Sequence, residues 1–235
     1  MIVECNLIIS LLKLTSEGSV LIENVNKDAH LPLVTTKKLI EKLQKEGLLY
    51  FKSSSIEVDT TDRLKLAVKA ASLGADMEQV SNLLCWQEFE EIAAFSLKNY
   101  GFTVAKNLRF KNTTRKYEID VVGCRKPLVI CIDCKHWQHA IAPSTLKRIV
   151  DSQVERTKAL VDSLPNISLN IECTKWSKAK FVPSIISLIP SSFKFYNKVP
   201  IVPILQLQDF LNQLSAYTES LKYFPKTFNK LSNNL

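Results

Sequence analysis

The sequence predicts an α/β fold, a mixed β-sheet flanked by helices, preceded by a smaller α+β domain. Two observations lead to this prediction. Within the first 61 residues, apolar positions recur at helical spacing and then give way to two short β-rich runs around three serines. Between residues 86 and 217, five β-rich runs alternate with three amphipathic segments of helical spacing. The expected order there is helix, three strands, helix, two strands, helix.

The first domain is predicted to span residues 1–61 and to be a winged helix-turn-helix. Helical segments are expected at residues 5–14 and 21–29, and a third begins at a threonine cap and ends at Gly47. A hairpin over residues 48–60 follows. In a winged helix, the third helix enters the major groove of DNA and the hairpin contacts the backbone. The alternative is a module for dimerisation or protein–protein contact. The expected DNA contacts are Thr36, Lys37, Lys38 and Lys42.

Three further segments complete the predicted organisation. Residues 62–85 form an alanine-rich helical linker, because their small apolar residues recur at helical spacing up to Gly74. Residues 86–217 form the α/β core. Residues 218–235 are polar and asparagine-rich, and we expect a frayed tail.

The charge distribution favours a polyanionic partner. The chain has 235 residues and a formal net charge of +8, and its isoelectric point is near 9.1. A basic run between residues 106 and 116 contains no acid, and neither does the stretch between Glu172 and Asp209. The alternative is ordinary solvated surface. The expected DNA contacts in the core are Arg109, Lys111, Arg115 and Lys116.

The N-terminus and the cysteines bear on location and on metal binding. The first residues lack the basic region of a signal peptide, and no stretch reaches the roughly 20 apolar residues of a membrane span. We therefore expect a soluble cytoplasmic protein without a membrane partner. Cys131 and Cys134 form a CxxC motif, but a strand would point them to opposite faces. Both are predicted to be core residues rather than zinc ligands.

Acidic and basic side chains interrupt two neighbouring strands of the predicted sheet. Residues 117–122 and 128–135 are β-rich and are joined by a predicted turn over residues 123–127. If the two strands are adjacent, Asp120 and Asp133 converge with Lys135 at one strand end. Two carboxylates and a lysine suit Mg²⁺ and a phosphodiester. The alternative is a simple ion pair between Asp133 and Lys135 on a solvent-facing strand.

This arrangement resembles the PD-(D/E)XK nuclease superfamily, which includes Mrr-type restriction endonucleases, archaeal Holliday-junction resolvases and RecB-like nucleases. The resemblance covers a helix containing Glu90, the Glu-Ile-Asp of residues 118–120 and the Asp-Cys-Lys of residues 133–135. It implies a restriction-endonuclease-like fold. Here the last acid is Asp rather than the commoner Glu. The resemblance implies catalytic or metal-binding roles for Glu90, Asp120, Asp133, Lys135 and the main-chain carbonyl of Cys134.

Two residues near this motif are predicted to be auxiliary. Glu118 precedes Asp120 by two positions, on the same side of the strand. Gln153 lies about where RecB-like nucleases place a polar residue that contacts substrate. The alternative for Gln153 is a surface pair with Arg156. Without the resemblance, Glu90 could not be preferred over Glu91.

The combined prediction is an endonuclease that hydrolyses phosphodiester bonds in DNA with Mg²⁺ or Mn²⁺ and no small-molecule cofactor. Since cutting both strands usually needs a second copy, we expect a homodimer. Alternatives are a DNA-binding regulator or scaffold with an inactive nuclease-like core, and a subunit that is active only with a partner. The sequence leaves open the preferred DNA structure and whether RNA is cut.

Overall fold

The computed structural model describes residues 2–112, 115–135, 141–165, 169, 171–187 and 193–228. The chain divides into two compact units, Met1–Ile92 and Ala93–Leu235. Within the described residues, no helix is both long enough and apolar enough to span a membrane.

The N-terminal unit combines helices with a small antiparallel sheet. Its strands pair in the order β1-β3-β2, with both Val20 and Phe51 opposite Ile56. The two-residue strand β1 was not predicted, because a strand that short has no alternating pattern to detect. The elements are α1 (Ile2–Leu14), β1 (Val20–Leu21), α2 (Ile22–Asp28), α3 (Leu33–Lys45), β2 (Tyr50–Lys52), β3 (Ser55–Glu57), α4 (Thr60–Ser72) and α5 (Met77–Asn82).

Helix α4 differs from the predicted linker. Asp59 caps its N-terminus by accepting a hydrogen bond from the backbone N–H of Asp62 at 2.7 Å. Its apolar face is buried, and Arg63 donates to the carbonyl of Leu12 at 2.7 Å. The alanine-rich pattern therefore belongs to a helix packed on α1 within the first unit, not to a free rod between domains.

The second unit is built on a seven-stranded mixed sheet, which confirms the predicted α/β core. The strand order is β4-β5-β6-β7-β9-β8, and β10 pairs with β7. Strands β4, β5 and β6 are antiparallel, whereas β6, β7 and β9 are parallel. Its elements, with the helix that leads into it, are α6 (Trp86–Asn99), β4 (Thr103–Lys111), β5 (Lys116–Arg125), β6 (Leu128–Lys135), α7 (Pro143–Ser163), β7 (Lys178–Ser187), β8 (Phe195–Tyr196), β9 (Val199–Pro203), α8 (Leu207–Tyr217) and β10 (Phe224–Thr227).

Two local predictions in this unit were wrong. Gly123 was placed in a turn, but it lies inside β5, where an added Cβ would come within 3.0 Å of Leu97 and 3.1 Å of Ile130. The polar tail, residues 218–235, was expected to fray, yet β10 pairs antiparallel with β7 and Phe228 is buried; residues 229–235 lie outside the described part of the chain. Phe224 and Phe228 pack with the hydrophobic core of this unit.

Candidate active site

The two predicted acids meet where β5 and β6 lie side by side. Val121 pairs with Ile132, so Asp120 and Asp133 are the next residues along their antiparallel strands. The backbone N–H of Cys134 donates to Oδ2 of Asp120 at 2.7 Å. The strand register therefore brings a carboxylate from each strand to one place.

Asp133 is buried, and its carboxylate forms ion pairs with two basic side chains. Its side chain is 2% exposed, and Nζ of Lys135 lies 2.9 Å from Oδ1 and 2.8 Å from Oδ2. Nη1 of Arg156 lies 2.6 Å from Oδ1. Burying an unpaired carboxylate costs free energy of folding. Here Lys135 on β6 and Arg156 on α7 provide the pairing.

The surroundings of Asp120 change the pKa of its carboxyl group. Burial raises the pKa of Asp120, and repulsion from Asp133 raises it further. The N–H of Cys134 and the charges of Lys135 and Arg156 act in the opposite direction but do not cancel the rise. A carboxylate with a raised pKa beside a second acid is an environment that a divalent cation would stabilise.

Gln153 is fully buried rather than part of a surface pair. Its Nε2 donates to the carbonyl of Cys131 at 2.7 Å. Its Oε1 is one of two buried side-chain polar atoms that lack a hydrogen-bond partner in the described part of the chain. A buried acceptor without a partner lowers stability by about 1–3 kcal/mol. Such an atom is expected where a bound ligand supplies the missing hydrogen-bond donor.

Arg156 is the site residue that sequence reasoning missed. It was placed on the surface beside Gln153, but it reaches the Asp133 carboxylate from α7. The available signal was spacing, because positions three apart on a helix share a face. Gln153 and Arg156 therefore approach the strand β6 together.

The residues present fit a hard divalent cation. Asp120, Asp133 and the carbonyl of Cys134 offer oxygen ligands, which Mg²⁺ and Mn²⁺ prefer. Over the described ranges, no group of three or more His, Cys, Asp or Glu side chains is arranged to hold a metal. Mg²⁺ commonly uses only one or two carboxylates and keeps several waters, so a smaller protein ligand set is sufficient.

Glu90 is the remaining predicted metal ligand, and Cys131 was predicted to lie in the core. Glu90 lies in α6 and is buried, and it belongs to the unit Met1–Ile92, whereas the other acids belong to the second unit. Its metal-binding role stays a prediction. Cys131 is fully buried, and burial raises the pKa of its thiol, so it is a core residue as expected.

The predicted DNA contacts of the first unit divide into buried and exposed residues. Thr36 is fully buried and donates its hydroxyl to Oδ1 of Asn26 at 2.8 Å, so this threonine cannot contact DNA from the observed conformation. Lys37 and Lys38 are exposed on α3. Lys42 is exposed too, but its Nζ lies 2.8 Å from a carboxylate oxygen of Glu4. Its charge is therefore partly neutralised.

The predicted contacts of the second unit are all exposed on or beside β4 and β5. Arg109 lies opposite Glu118, and their side chains form an ion pair at 3.1 Å. The carboxylate of Glu118, predicted to be auxiliary, is therefore exposed and paired with Arg109. Lys111 lies opposite Lys116, a like-charge pair that is unfavourable without a nearby anion. The remaining basic residue, Arg115, pairs with Glu155 at 2.8 Å.

Comparison with known proteins supports the nuclease prediction. A family model described as NERD, nuclease-related domain, matches residues 86–189. An uncharacterised protein of Archaeoglobus fulgidus is 29% identical over 136 residues, which cover 56% of this chain and 93% of that protein.

Three solved structures are similar at low identity. Protein VC1899 of Vibrio cholerae is 13% identical with a TM-score of 0.39, and the restriction endonuclease FokI is 14% identical with a TM-score of 0.37. Can2 of Sulfobacillus thermosulfidooxidans, solved in complex with cyclic tetra-adenylate, is 16% identical with a TM-score of 0.32. Each likeness covers 92% of this chain, which spans 50%, 45% and 50% of those structures, respectively.

The family match includes the helix α6 and both acid-bearing strands, β5 and β6. It confirms the resemblance to nucleases that the acidic motif predicted. Residues 86–189 of this protein are therefore similar to the nuclease-related domain family.

Proposed function

We propose that the protein is an endonuclease that hydrolyses DNA with Mg²⁺ or Mn²⁺. The observation that carries this proposal is the meeting of Asp120 and Asp133 at neighbouring strand positions, with Lys135 on the carboxylate of Asp133. Acids that repel each other beside a fixed ammonium are expensive to bury and have no evident structural benefit. The same residues are what metal-assisted phosphodiester hydrolysis requires.

Each residue has a defined task in this proposal. Asp120, Asp133 and the carbonyl of Cys134 would hold the cation, with Glu90 as a further carboxylate. When bound, the cation polarises the scissile phosphate and lowers the pKa of a bound water. Lys135 would orient the attacking water or stabilise charge that develops on the phosphate. The N–H of Cys134 keeps Asp120 in place.

Basic surfaces would supply affinity for the polyanion. Exposed Arg109, Lys111, Arg115 and Lys116 lie on or beside two adjacent strands of the nuclease-related unit. The first unit has helices and strands in the order of a winged helix, with Lys37 and Lys38 exposed on the helix that would enter the major groove. We propose that this unit docks the DNA, and that a homodimer forms in the cytoplasm to cut both strands.

The direct test is cleavage of plasmid and branched DNA with Mg²⁺, comparing the wild type with Asp133→Ala. We expect nicking by the wild type, loss of nicking in EDTA, and at least a roughly 100-fold lower rate in the variant. Lys147→Ala, an exposed lysine on α7, is the matched control and should retain activity. Equal rates in the wild type and Asp133→Ala would overturn the assignment.

A second candidate is a DNA-binding regulator whose nuclease-like core is inactive. It is favoured by the pairing of Asp133, because Lys135 and Arg156 already neutralise this acid without a metal. This candidate predicts a mobility shift with duplex DNA and no cleavage under any divalent cation. Cleavage that depends on Asp133 would exclude it.

The winged-helix proposal has its own test. In a gel-shift salt series on the full chain, Lys37→Ala with Lys38→Ala should reduce the slope of log K against log salt by about 2, roughly 1 for each DNA phosphate that the variant no longer neutralises. Lys42→Ala is the control, because Glu4 already neutralises this lysine. An unchanged slope in the double variant would assign the unit to protein contact instead.

A further inference from the structure

We propose that Arg156 is a displaceable counter-charge that competes with the divalent cation for Asp133, so that DNA and metal bind cooperatively. This inference rests on the proposed function and concerns how its metal site is loaded. In this role Arg156 controls access to the Asp133 carboxylate and takes no part in bond making or breaking.

The carboxylate of Asp133 is already paired. Asp133 is 2% exposed, and both of its oxygens already accept from cations: Oδ1 from Lys135 and Arg156, and Oδ2 from Lys135. A divalent cation needs at least one carboxylate oxygen at close range. A cation that binds this carboxylate therefore competes with ion pairs that already neutralise its charge.

The two ion pairs of Asp133 differ in how easily they can loosen. Lys135 follows Asp133 by two residues on β6, so the strand holds the two side chains together. Arg156 comes from α7, and its side chain is 32% exposed. Its guanidinium can turn towards solvent without moving the sheet. Arg156 is therefore the partner that a cation would displace.

Once displaced from Asp133, the guanidinium of Arg156 is available to bind DNA. A guanidinium binds phosphate as readily as carboxylate, through the same planar pair of donors. A DNA phosphate near the site would compete with Asp133 for Arg156 and so free the carboxylate for the cation. By linkage, DNA tightens metal binding and metal tightens DNA binding by the same factor.

The test uses Mn²⁺ and the full chain, with free Mn²⁺ measured by electron paramagnetic resonance. Without DNA, Arg156→Gln should bind Mn²⁺ at least about fivefold more tightly than the wild type. Arg148→Gln removes an exposed arginine from the same helix and should stay within about twofold of the wild type, which separates the contact from general charge. Asp133→Ala should abolish the site.

The cooperative part is tested with a short phosphorothioate duplex, which resists hydrolysis. At saturating duplex, the affinity of the wild type for Mn²⁺ should rise by about fivefold or more, after subtraction of the signal from Asp133→Ala with the same duplex. Arg156→Gln should show little further gain. If Arg156→Gln unfolds, Arg156→Met retains the apolar stem and serves as the second variant.

The outcomes separate this inference from the nuclease proposal. Tighter Mn²⁺ binding by Arg156→Gln, with a smaller gain from duplex, supports the counter-charge even if no DNA is cut. Equal or weaker Mn²⁺ binding by Arg156→Gln, an equal gain in Arg148→Gln, or no Mn²⁺ binding in either Arg156→Gln or the wild type overturns it, whether or not the protein is a nuclease.

Discussion

Two carboxylates, Glu88 in the first unit and Asp133 in the second, are buried to a similar degree but paired in different ways. The side chain of Glu88 is 7% exposed and pairs with Arg63, whose side chain is 5% exposed. Arg63 also donates to the carbonyls of Leu12 and Leu83 and to the hydroxyl of Thr15, each at 2.7 Å. Glu88 accepts a further hydrogen bond from the backbone N–H of Cys85 at 2.7 Å.

The cluster around Asp133 is less complete. Its cations, Lys135 and Arg156, have side chains that are 29% and 32% exposed. A second acid, Asp120, lies beside it with a raised pKa, and Gln153 carries an acceptor without a partner in the described residues. A buried ion pair with every polar group satisfied is structural. A buried ion pair is typical of a binding or catalytic site when it includes acids that repel each other, partly exposed basic side chains and an acceptor without a hydrogen-bond partner.

The largest expected effect is on stability, and it tests this comparison directly. Arg63→Gln should lower the free energy of unfolding by about 3–5 kcal/mol, because it leaves Glu88 buried without its cation. Arg156→Gln should cost less than about 1 kcal/mol, because Lys135 still pairs with Asp133 and the side chain of Arg156 is 32% exposed. Urea denaturation measures both. Similar losses in the two variants would contradict the distinction between a structural and a functional pair.

Lys135→Met should affect chemistry far more than folding. We expect a cleavage rate at least about 100-fold lower, because the ammonium that stabilises charge on the phosphate is lost. The melting temperature should change little, since Arg156 still pairs with Asp133. Plasmid cleavage and thermal unfolding on one preparation give both readouts, with Lys147→Met as the control. A normal rate would remove Lys135 from the active site.

Asp120→Asn should stabilise the protein while removing a metal ligand. Because the pKa of Asp120 is raised, the folded state binds its proton more tightly than the unfolded state, and stability falls as pH rises through that pKa. The variant should therefore melt about 2–4 °C higher near neutral pH. The gain in melting temperature should vanish below the ordinary pKa of an aspartate, because residue 120 is then uncharged in both the wild type and the variant. A gain that persists in acid would contradict the electrostatic cause.

The smallest expected effect is at Gln153. Gln153→Met should change the free energy of unfolding by less than about 1 kcal/mol, because losing the hydrogen bond to Cys131 is offset by removing an unsatisfied buried oxygen. Thr15→Val, in the satisfied cluster, should cost about 1 kcal/mol or more, since Arg63 loses a buried partner. Urea denaturation distinguishes the two. A larger loss at Gln153 than at Thr15 would reverse the comparison.

The sequence by itself determined the elements that repeat locally. Period-two alternation placed Asp133 and Lys135 on one side of a strand, and helical spacing gave α3, α6 and α7, because such patterns depend only on nearby residues. The convergence of Asp120 with Asp133 followed from placing the two strands side by side, and the family resemblance selected Glu90 over Glu91. The mixed sheet followed from the order of these elements.

Tertiary structure alone decided which distant groups meet. The packing of α7 brings Arg156 to Asp133 and buries Gln153. Residues 178–181 of β7 are not paired with β9, and they pair with residues 224–227 to form β10. The burial of Thr36 and the docking of α4 on α1 were decided in the same way. A pattern along the chain records which face a side chain occupies, whereas its partner across the fold depends on contacts between residues far apart in sequence.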